Sequence, residues 1–111
     1  MVKYYNKINS LNKRLELQKP IKETDGVGGY NITWEKVKNV WGSIDLISNI
    51  SNSNYSMLEI KATHLIVVRY LNNINIGMRF LHNNKIFNIK YINNIDKNFT
   101  EIICESREEQ Q

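Results

Sequence analysis

Alanine, proline and cysteine are nearly missing from the sequence, and the shortage of cysteine excludes two kinds of site. The 111 residues include one alanine, Ala62, one proline, Pro20, and one cysteine, Cys104. A lone cysteine excludes an internal disulfide and a cysteine-rich zinc site. The lone proline marks one position at which a strand is expected to end, because proline cannot donate a hydrogen bond within a ladder. The neighbours Ile102 and Ile103 indicate that the Cys104 thiol is packed and inert.

Long apolar runs are also missing. The longest apolar stretch, residues 65–68, is far shorter than the roughly 20 residues that span a bilayer. The first ten residues, MVKYYNKINS, lack the apolar centre of a secretory signal. We therefore expect a soluble intracellular protein without membrane contact.

Asparagine and isoleucine are abundant instead. The chain has 17 asparagines and 16 isoleucines, a skew that we attribute to codon bias in an AT-rich genome. Hydrophobic residues at 41% and charged residues at 23% are ordinary for a folded chain. The length fits one small domain and excludes a two-domain enzyme.

The net charge of +4 is unevenly distributed along the chain. Residues 1–22 carry six basic residues against one glutamate, whereas residues 101–111 carry four glutamates against one arginine. Such opposite ends suit head-to-tail contact between copies as well as they suit a nucleic-acid patch, and the alternative is two solvated termini. The candidate subunit contacts are Lys3, Lys7, Lys13, Arg14, Glu105, Glu108 and Glu109.

Alternating apolar residues predict an all-β fold. LNKRLELQ at 11–18 predicts a strand that ends at Pro20, and TDGVGG predicts a turn. Residues 30–46 alternate with an interruption at 35–39 that indicates a bulge or bend. THLIVVRY at 63–70 predicts a strand buried on both faces, and residues 77–92 predict a hairpin that turns at Asn83 and Asn84. FTEIICES predicts the last strand.

These segments add up to about six or seven short, mainly antiparallel strands in a small β-barrel or sandwich. We expect an N-terminal arm at 1–10, a barrel domain at 11–106 with a long, flexible projecting loop at 48–61, and a frayed tail at 107–111. The interior of so small a domain depends on a few large side chains. The predicted core residues are Leu15, Leu17, Trp34, Trp41, Phe87 and Ile89.

Residues that could carry chemistry are scattered. The two histidines, His64 and His82, have no acidic or cysteine neighbour at ligand spacing, and a metal site needs three or four convergent ligands. No carboxylate pair stands out for acid–base work, and no G-x-S-x-G elbow activates a serine. We therefore expect no catalytic residues, no cofactor and no metal.

Aromatic and basic residues do interleave between residues 69 and 91, as they do in barrels that bind oligonucleotides. The interpretation that we favour places the aromatic rings in the core and the basic side chains on the opposite face, because apolar partners surround the rings. The residues concerned are Arg69, Tyr70, Arg79, Phe80, Phe87, Lys90 and Tyr91.

The order of these landmarks resembles the bacteriophage head-tail joining family, whose members are also called head-closure, head-completion or stopper proteins. The resemblance covers most of the chain between Leu11 and Ser106. It departs from the family at Gly42, where alanine is expected, and in the Ser- and Asn-rich loop, where charge is more usual. The segments that carry it are LNKRLELQKP, DGVGGYNITWEKVKNVWGSIDLIS with its W-x6-W spacing, THLIVVRY, MRFLHNNKIFNIKYINNID and IICES.

The resemblance implies a structural virion protein, assembled in the host cytoplasm, that forms a ring of twelve copies in the neck. Its partners would be the portal or adaptor ring, a tail terminator or tail tube protein, and the packaged double-stranded DNA that passes through the channel. The alternatives are a standalone nucleic-acid-binding β-barrel and another tail or neck component of similar fold. By position, the channel or intersubunit loop would include Ser48, Asn49, Asn52, Asn54, Tyr55, Met57 and Glu59.

Overall fold

The six strands of this computed structural model, which describes residues 11–47, 63–95 and 97–108 and side chains up to Ser106, close into one antiparallel barrel. Around the barrel the strand order is β1-β2-β3-β6-β5-β4. The all-β prediction is confirmed, and closure decides between barrel and sandwich. The strands are β1 (Lys13–Thr24), β2 (Tyr30–Leu46), β3 (His64–Arg69), β4 (Arg79–His82), β5 (Lys85–Asn94) and β6 (Phe99–Glu108).

The barrel interior is filled by alternate residues of all six strands. Phe80 and Phe87 are 0% and 2% exposed and lie opposite each other on β4 and β5. Leu15, Leu17 and Ile89 are buried with them. Other buried members of this core are Ile66, Val68, Leu71, Ile74, Met78, Ile102 and Cys104.

The outer face of β3 and β6 carries a second, smaller apolar cluster. Leu65, Val67, Phe99 and Ile103 are buried there, although their neighbours along each strand point into the barrel. This is why residues 65–68 are a continuous apolar run rather than an alternating one: β3 is buried on both faces, as its sequence predicts.

Gly42 lies where the barrel wall leaves no room for a side chain. A Cβ at this position would stand 2.8 Å from Val68 Cγ1, 2.9 Å from Leu15 Cδ1 and 2.9 Å from the Val67 carbonyl oxygen. The alanine expected from the family resemblance would therefore crowd the contact between β2 and β3, and glycine here has a steric reason.

Two tight turns match their sequence signals. Asn83 and Asn84 adopt φ values of 51° and 66° in the β4–β5 turn, as asparagine tolerates. In the β1–β2 turn the Asp25 carboxylate accepts hydrogen bonds from the backbone N–H groups of Val27 (2.9 Å) and Gly29 (3.0 Å). Both predicted hairpins are present.

Strand β1 does not end at Pro20, which corrects the prediction from sequence. Pro20 pairs with Trp34 in the middle of the ladder with β2, which continues to Thr24 and Tyr30. On its other side β1 pairs with β4 only at residues 16–18. The edge of β1 at Pro20 therefore has no strand neighbour that needs an N–H donor, and proline is accepted there.

Residues 19–36 thus form a two-stranded arm, here called the ribbon, that extends beyond the barrel wall. The molecule measures 53 × 28 × 25 Å. Side chains of the ribbon are mostly exposed, including Tyr30 at 55% and Ile32 at 48%. The β1 and β2 strands are therefore much longer than the short strands that the sequence predicts.

A bulge separates the ribbon from the barrel part of β2. Leu17 pairs with Lys38 but Gln18 pairs with Lys36, so Val37 is the additional residue. This confirms the irregularity predicted at 35–39. Because a bulge increases the local twist and bends the strand, Val37 affects the direction in which the ribbon leaves the barrel.

Candidate assembly surfaces

One end of the barrel gathers the starts and ends of several segments. The Ile47 N–H donates to the Thr63 carbonyl oxygen at 3.0 Å, and the Thr63 N–H donates to the Cys104 carbonyl oxygen at 2.9 Å. Strand β6 ends here and the β4–β5 turn lies here. We call this the loop end, because the chain leaves it at residue 47 and returns to it at residue 63.

The predicted channel loop itself lies outside the described residues. What the structure gives is its attachment, since the two residues that flank it are hydrogen-bonded to each other. The residues concerned are Ser48, Asn49, Asn52, Asn54, Tyr55, Met57 and Glu59.

The charged candidates for subunit contact lie on opposite walls. Lys13 and Arg14 are exposed on β1, and Glu105 is partly buried on β6, three places away in a ring of six strands. Within one chain these groups are not brought together. The Glu105 Oε1 lies 3.6 Å from Lys90 Nζ. Lys3, Lys7 and Glu109 lie outside the described residues, and Glu108 is described as the last residue of β6 without its side chain.

The outer face of the β1–β2 pair carries three aromatic rings, each covered by a cation. The Arg14 guanidinium lies 5.5 Å from the centre of the Trp41 ring, and the Lys22 ammonium lies 4.5 Å from that of Tyr30. The Arg79 guanidinium lies 4.1 Å from that of Trp34. Arginine, tryptophan and tyrosine in this arrangement are the residue types that dominate binding energy at protein interfaces.

The bulge explains how the two tryptophans come to share this face. Residues seven apart point to opposite faces of a regular strand, because side chains alternate. Val37 takes up one position, so that Trp34 pairs with Pro20 while Trp41 pairs with Arg14 on the same outer face. We call Pro20, Tyr30, Ile32 and Trp34, which share this outer face, the apolar face of the ribbon.

Hydrogen bonds fix the cation over Trp34. The Arg79 Nε donates to Gln18 Oε1 at 2.7 Å, and the Gln18 amide donates to Glu16 Oε2 at 2.7 Å. Gln18 is 7% exposed. The Trp34 ring is therefore held against the barrel by Arg79, whereas Tyr30 and Ile32 farther along are open to solvent.

An apolar cleft of about 390 Å³ lies at the base of the ribbon, beside the connection from β3 to β4. Its apolar lining includes Pro20, Val37, Ile76 and Met78. Ile76 is 65% exposed and Val37 is 39% exposed. The sequence does not predict this cleft, because its lining comes from segments that are far apart in the chain.

The predicted role of the tryptophans in the core is wrong for Trp41 and only partly met by Trp34. Trp41 is 53% exposed, and Trp34 is half-buried beneath Arg79. The space inside the barrel is filled by phenylalanine and aliphatic side chains, and the outward register of both tryptophans excludes them from it. Leu15, Leu17, Phe87 and Ile89 lie in the core.

The interleaved aromatic residues divide between two environments. Phe80 and Phe87 are buried, but Tyr70 and Tyr91 are each 46% exposed. The interpretation that places all of these rings in the core is therefore wrong for the tyrosines.

Two titratable side chains of the barrel, His64 and Cys104, are partly or fully buried among other barrel residues. His64 Nδ1 lies 2.8 Å from Thr63 Oγ1, and its ring meets Phe87 edge to face at 5.2 Å. Partial burial, followed by the charge of Lys85, lowers the pKa of His64. Burial raises the pKa of the Cys104 thiol. The described ranges contain no group of three or more metal-ligating side chains and no helix long and apolar enough to cross a membrane.

Two solved structures have a fold similar to that of this chain. A solution structure of a protein from Shigella flexneri 2a is similar with a TM-score of 0.69 and 23% identity, over 89% of this chain and 95% of that one. A chain of the virion of a native gene transfer agent particle is similar with a TM-score of 0.63 and 20% identity, over 84% and 91%. These likenesses establish the fold. No curated protein matches the chain.

The family model described as phage head completion protein matches residues 7–109, which include the whole barrel, the ribbon and the loop between β2 and β3. The match confirms the resemblance found in the sequence, and it places the chain among structural components of the phage head and neck rather than in an enzyme family. The chain therefore belongs to the phage head completion protein family.

Proposed function

We propose that this protein forms a ring below the portal or its adaptor in the neck of the virion, closes the DNA-filled head and docks the tail. Family membership supports a position in the completed head. A closed barrel supports a repeating unit, because closure leaves few open sheet edges and gives a rigid wall for contacts. A ring of twelve copies would surround the channel, with a tail terminator or tail tube protein on the far side.

The observation that carries the proposal is the attachment of residues 48–62. The hydrogen bond from Ile47 to Thr63 closes the base of this segment, so we expect the barrel to fold without the residues between them. The segment is rich in serine and asparagine. We propose that it lines the channel or contacts the next subunit, since neutral polar side chains would border DNA without binding its phosphates strongly.

Deletion of residues 49–56 tests this role. Because the base of the loop is already joined, the barrel should keep its stability, measured by thermal unfolding. Particles that carry the deletion should leak DNA or lack tails, measured by DNA retention and electron microscopy. A Gly-Ser segment of equal length is the matched control that separates loop length from loop sequence. Normal DNA retention by the deletion variant would contradict the proposal.

Charge supplies a second element of the proposed ring. Lys13 and Arg14 on one wall and Glu105 on the opposite wall suit a head-to-tail contact, in which each copy presents two different patches. Lys3, Lys7, Glu108 and Glu109 would extend these patches. Raising the salt concentration should then weaken assembly more than folding, as native mass spectrometry and thermal unfolding would show. Assembly that is insensitive to salt would exclude this pairing.

Nucleic-acid binding is the second candidate, and the exposure of Tyr70 and Tyr91 favours it. Exposed aromatic rings with nearby cations can stack unpaired bases. This function requires salt-dependent binding of single strands that weakens in Arg69→Ala, Arg79→Ala or Tyr91→Ala. A third candidate, another neck or tail component of similar fold, would show the protein beside a different neighbour in an electron-microscopy map of the particle.

A further inference from the structure

The apolar face of the ribbon leaves large hydrophobic side chains exposed to water. Tyr30 and Ile32 are about half exposed, and Pro20 is exposed between them and the barrel. A two-stranded ribbon is marginally stable in water unless one face packs against something. Beyond Trp34 the ribbon has passed the strands of its own barrel, because β4 pairs with β1 only at residues 16–18.

The cleft at the base of the ribbon is a second apolar surface, which shares only Pro20 with the first. It offers about 390 Å³, room for about two aromatic rings if a cavity of about 150 Å³ holds one benzene. Its apolar lining comes from Pro20, Val37, Ile76 and Met78. Lys19 and the asparagines Asn73 and Asn75 add polar groups to that lining, and protein interfaces usually combine apolar and polar groups.

The two surfaces suit a second copy of this chain. Each copy carries one projecting apolar face and one apolar recess, which are the two unlike patches that a head-to-tail contact requires. The ribbon beyond the barrel has six residue pairs and is about 20 Å long. One face of its two strands offers a few hundred Å², a substantial part of the roughly 800 Å² that each partner buries in a stable interface.

We propose that the apolar face of the ribbon of one copy occupies the cleft of the next copy. The proposal rests on the ring proposed above and names the surfaces that join its subunits. Ile32 and Tyr30 would enter the recess between Val37 and Ile76. Lys22 pairs with Ile32 on the same face, so its aliphatic stem would lie alongside them in the contact while its ammonium stays over the Tyr30 ring. In the proposed ring this contact would repeat from copy to copy, with a rotation that closes the circle.

Cysteine cross-linking between two single variants tests the contact. The chain has one natural cysteine, Cys104, which is buried and should not react. A phage that lacks the gene would be complemented with a mixture of the Ile32→Cys and Ile76→Cys chains, and the particles would be oxidised. The proposal expects a disulfide-linked dimer with one chain of each kind, identified by peptide mass spectrometry, and no dimer from either variant alone.

Each other outcome overturns a defined statement. Infectious particles that contain both chains but no mixed dimer would overturn the proposed contact and leave the ring intact. A dimer from Ile32→Cys alone would show ribbon against ribbon and would also overturn it. Tailed, DNA-filled particles that assemble without any copy of this protein would overturn the proposed function itself.

A matched pair of substitutions keeps the proposal testable if the cysteine variants fail to assemble. Ile32 and Thr33 are adjacent, but Thr33 pairs with Ile21 on the opposite face of the ribbon. Ile32→Lys should reduce incorporation into particles at least tenfold, whereas Thr33→Lys should leave it within twofold, with the same thermal midpoint for both purified chains. Equal incorporation of the two variants would contradict the proposal.

Discussion

The barrel and the ribbon are built from the same two strands and show how differently one sequence pattern can be used. In the barrel part of β1, Leu15 and Leu17 alternate with polar residues and are fully buried. In the ribbon, Tyr30 and Ile32 alternate in the same way and are about half exposed. The alternation specifies a face in both regions, but only in the barrel does the same chain cover that face. The exposed face of the ribbon thus has the residue pattern of a core, and the proposed contact between copies would cover it.

Truncation of one large side chain in each region should give the greatest contrast. Phe80→Ala empties the centre of the barrel and should lower the free energy of unfolding by about 3–5 kcal/mol. Ile32→Ala in the ribbon should change it by less than about 0.5 kcal/mol. Urea denaturation with equal m-values would measure both. A comparable loss in the two variants would mean that the ribbon packs on its own barrel.

A methyl group added at a glycine of each region should give the next largest contrast. Gly42→Ala forces Cβ against the Val67 carbonyl oxygen and two side chains, and overpacking of this kind costs about 1–3 kcal/mol. Gly28→Ala meets nothing within 4 Å but has a φ of +93°, so its strain should loosen the turn. Hydrogen exchange should show global destabilisation in the first variant and faster exchange only near residues 25–30 in the second.

Acid should weaken the barrel through His64. Its pKa in the folded chain is below the ordinary 6.5, first because of burial and then because of Lys85, so the unfolded chain binds its proton more readily. Stability should therefore fall as the pH falls below about 6.5 and should stop falling once His64 is protonated in the folded state. Thermal unfolding of His64→Gln should lack this step, and an unchanged profile would contradict the assignment.

The smallest effect should appear at the tip of the ribbon. The backbone N–H of Val27, followed by that of Gly29, lowers the pKa of Asp25. The ionised carboxylate therefore stabilises the turn fully at pH values above 3.8, the ordinary pKa of the group. This stabilisation is lost as the pH falls through the lowered pKa of the folded state. Amide exchange at residues 26–29 should accelerate there while barrel amides stay protected. In Asp25→Asn the acceleration should be absent, and its persistence would implicate another group.

The sequence predicted the strands well because a pattern of period two depends only on local residues. The β4–β5 hairpin, the irregularity at 35–39 and the double burial of β3 all follow from such local signals. The prediction failed where a neighbouring strand decides the outcome. Pro20 is accepted because β4, which begins at Arg79, pairs with β1 only as far as Gln18.

The core residues and the cleft likewise depend on contacts between segments that are distant in the chain. Trp41 lies outside the barrel because its neighbour Val40 packs against the core and side chains alternate along a strand, whereas large aromatic size alone predicted the opposite. The cleft unites residues from β1, β2 and the connection before β4, three segments that are far apart in the chain. No local pattern reports such a meeting. The family, by contrast, was predictable because the order of motifs along the chain is itself a sequence property.

The extra residue Val37 can change the direction of the ribbon without changing which side chains lie on each of its faces. If Val37 were removed, Lys36 and Lys38 would be neighbours, and Gln18 and Leu17 could keep both as partners in a regular ladder. Every ribbon side chain would stay on its present face, yet the additional twist of the bulge would be lost. The angle at which each arm leaves its barrel, and with it the curvature of any assembly that the arms join, could therefore diverge among relatives by a change in chain length alone, with the contacting side chains unchanged.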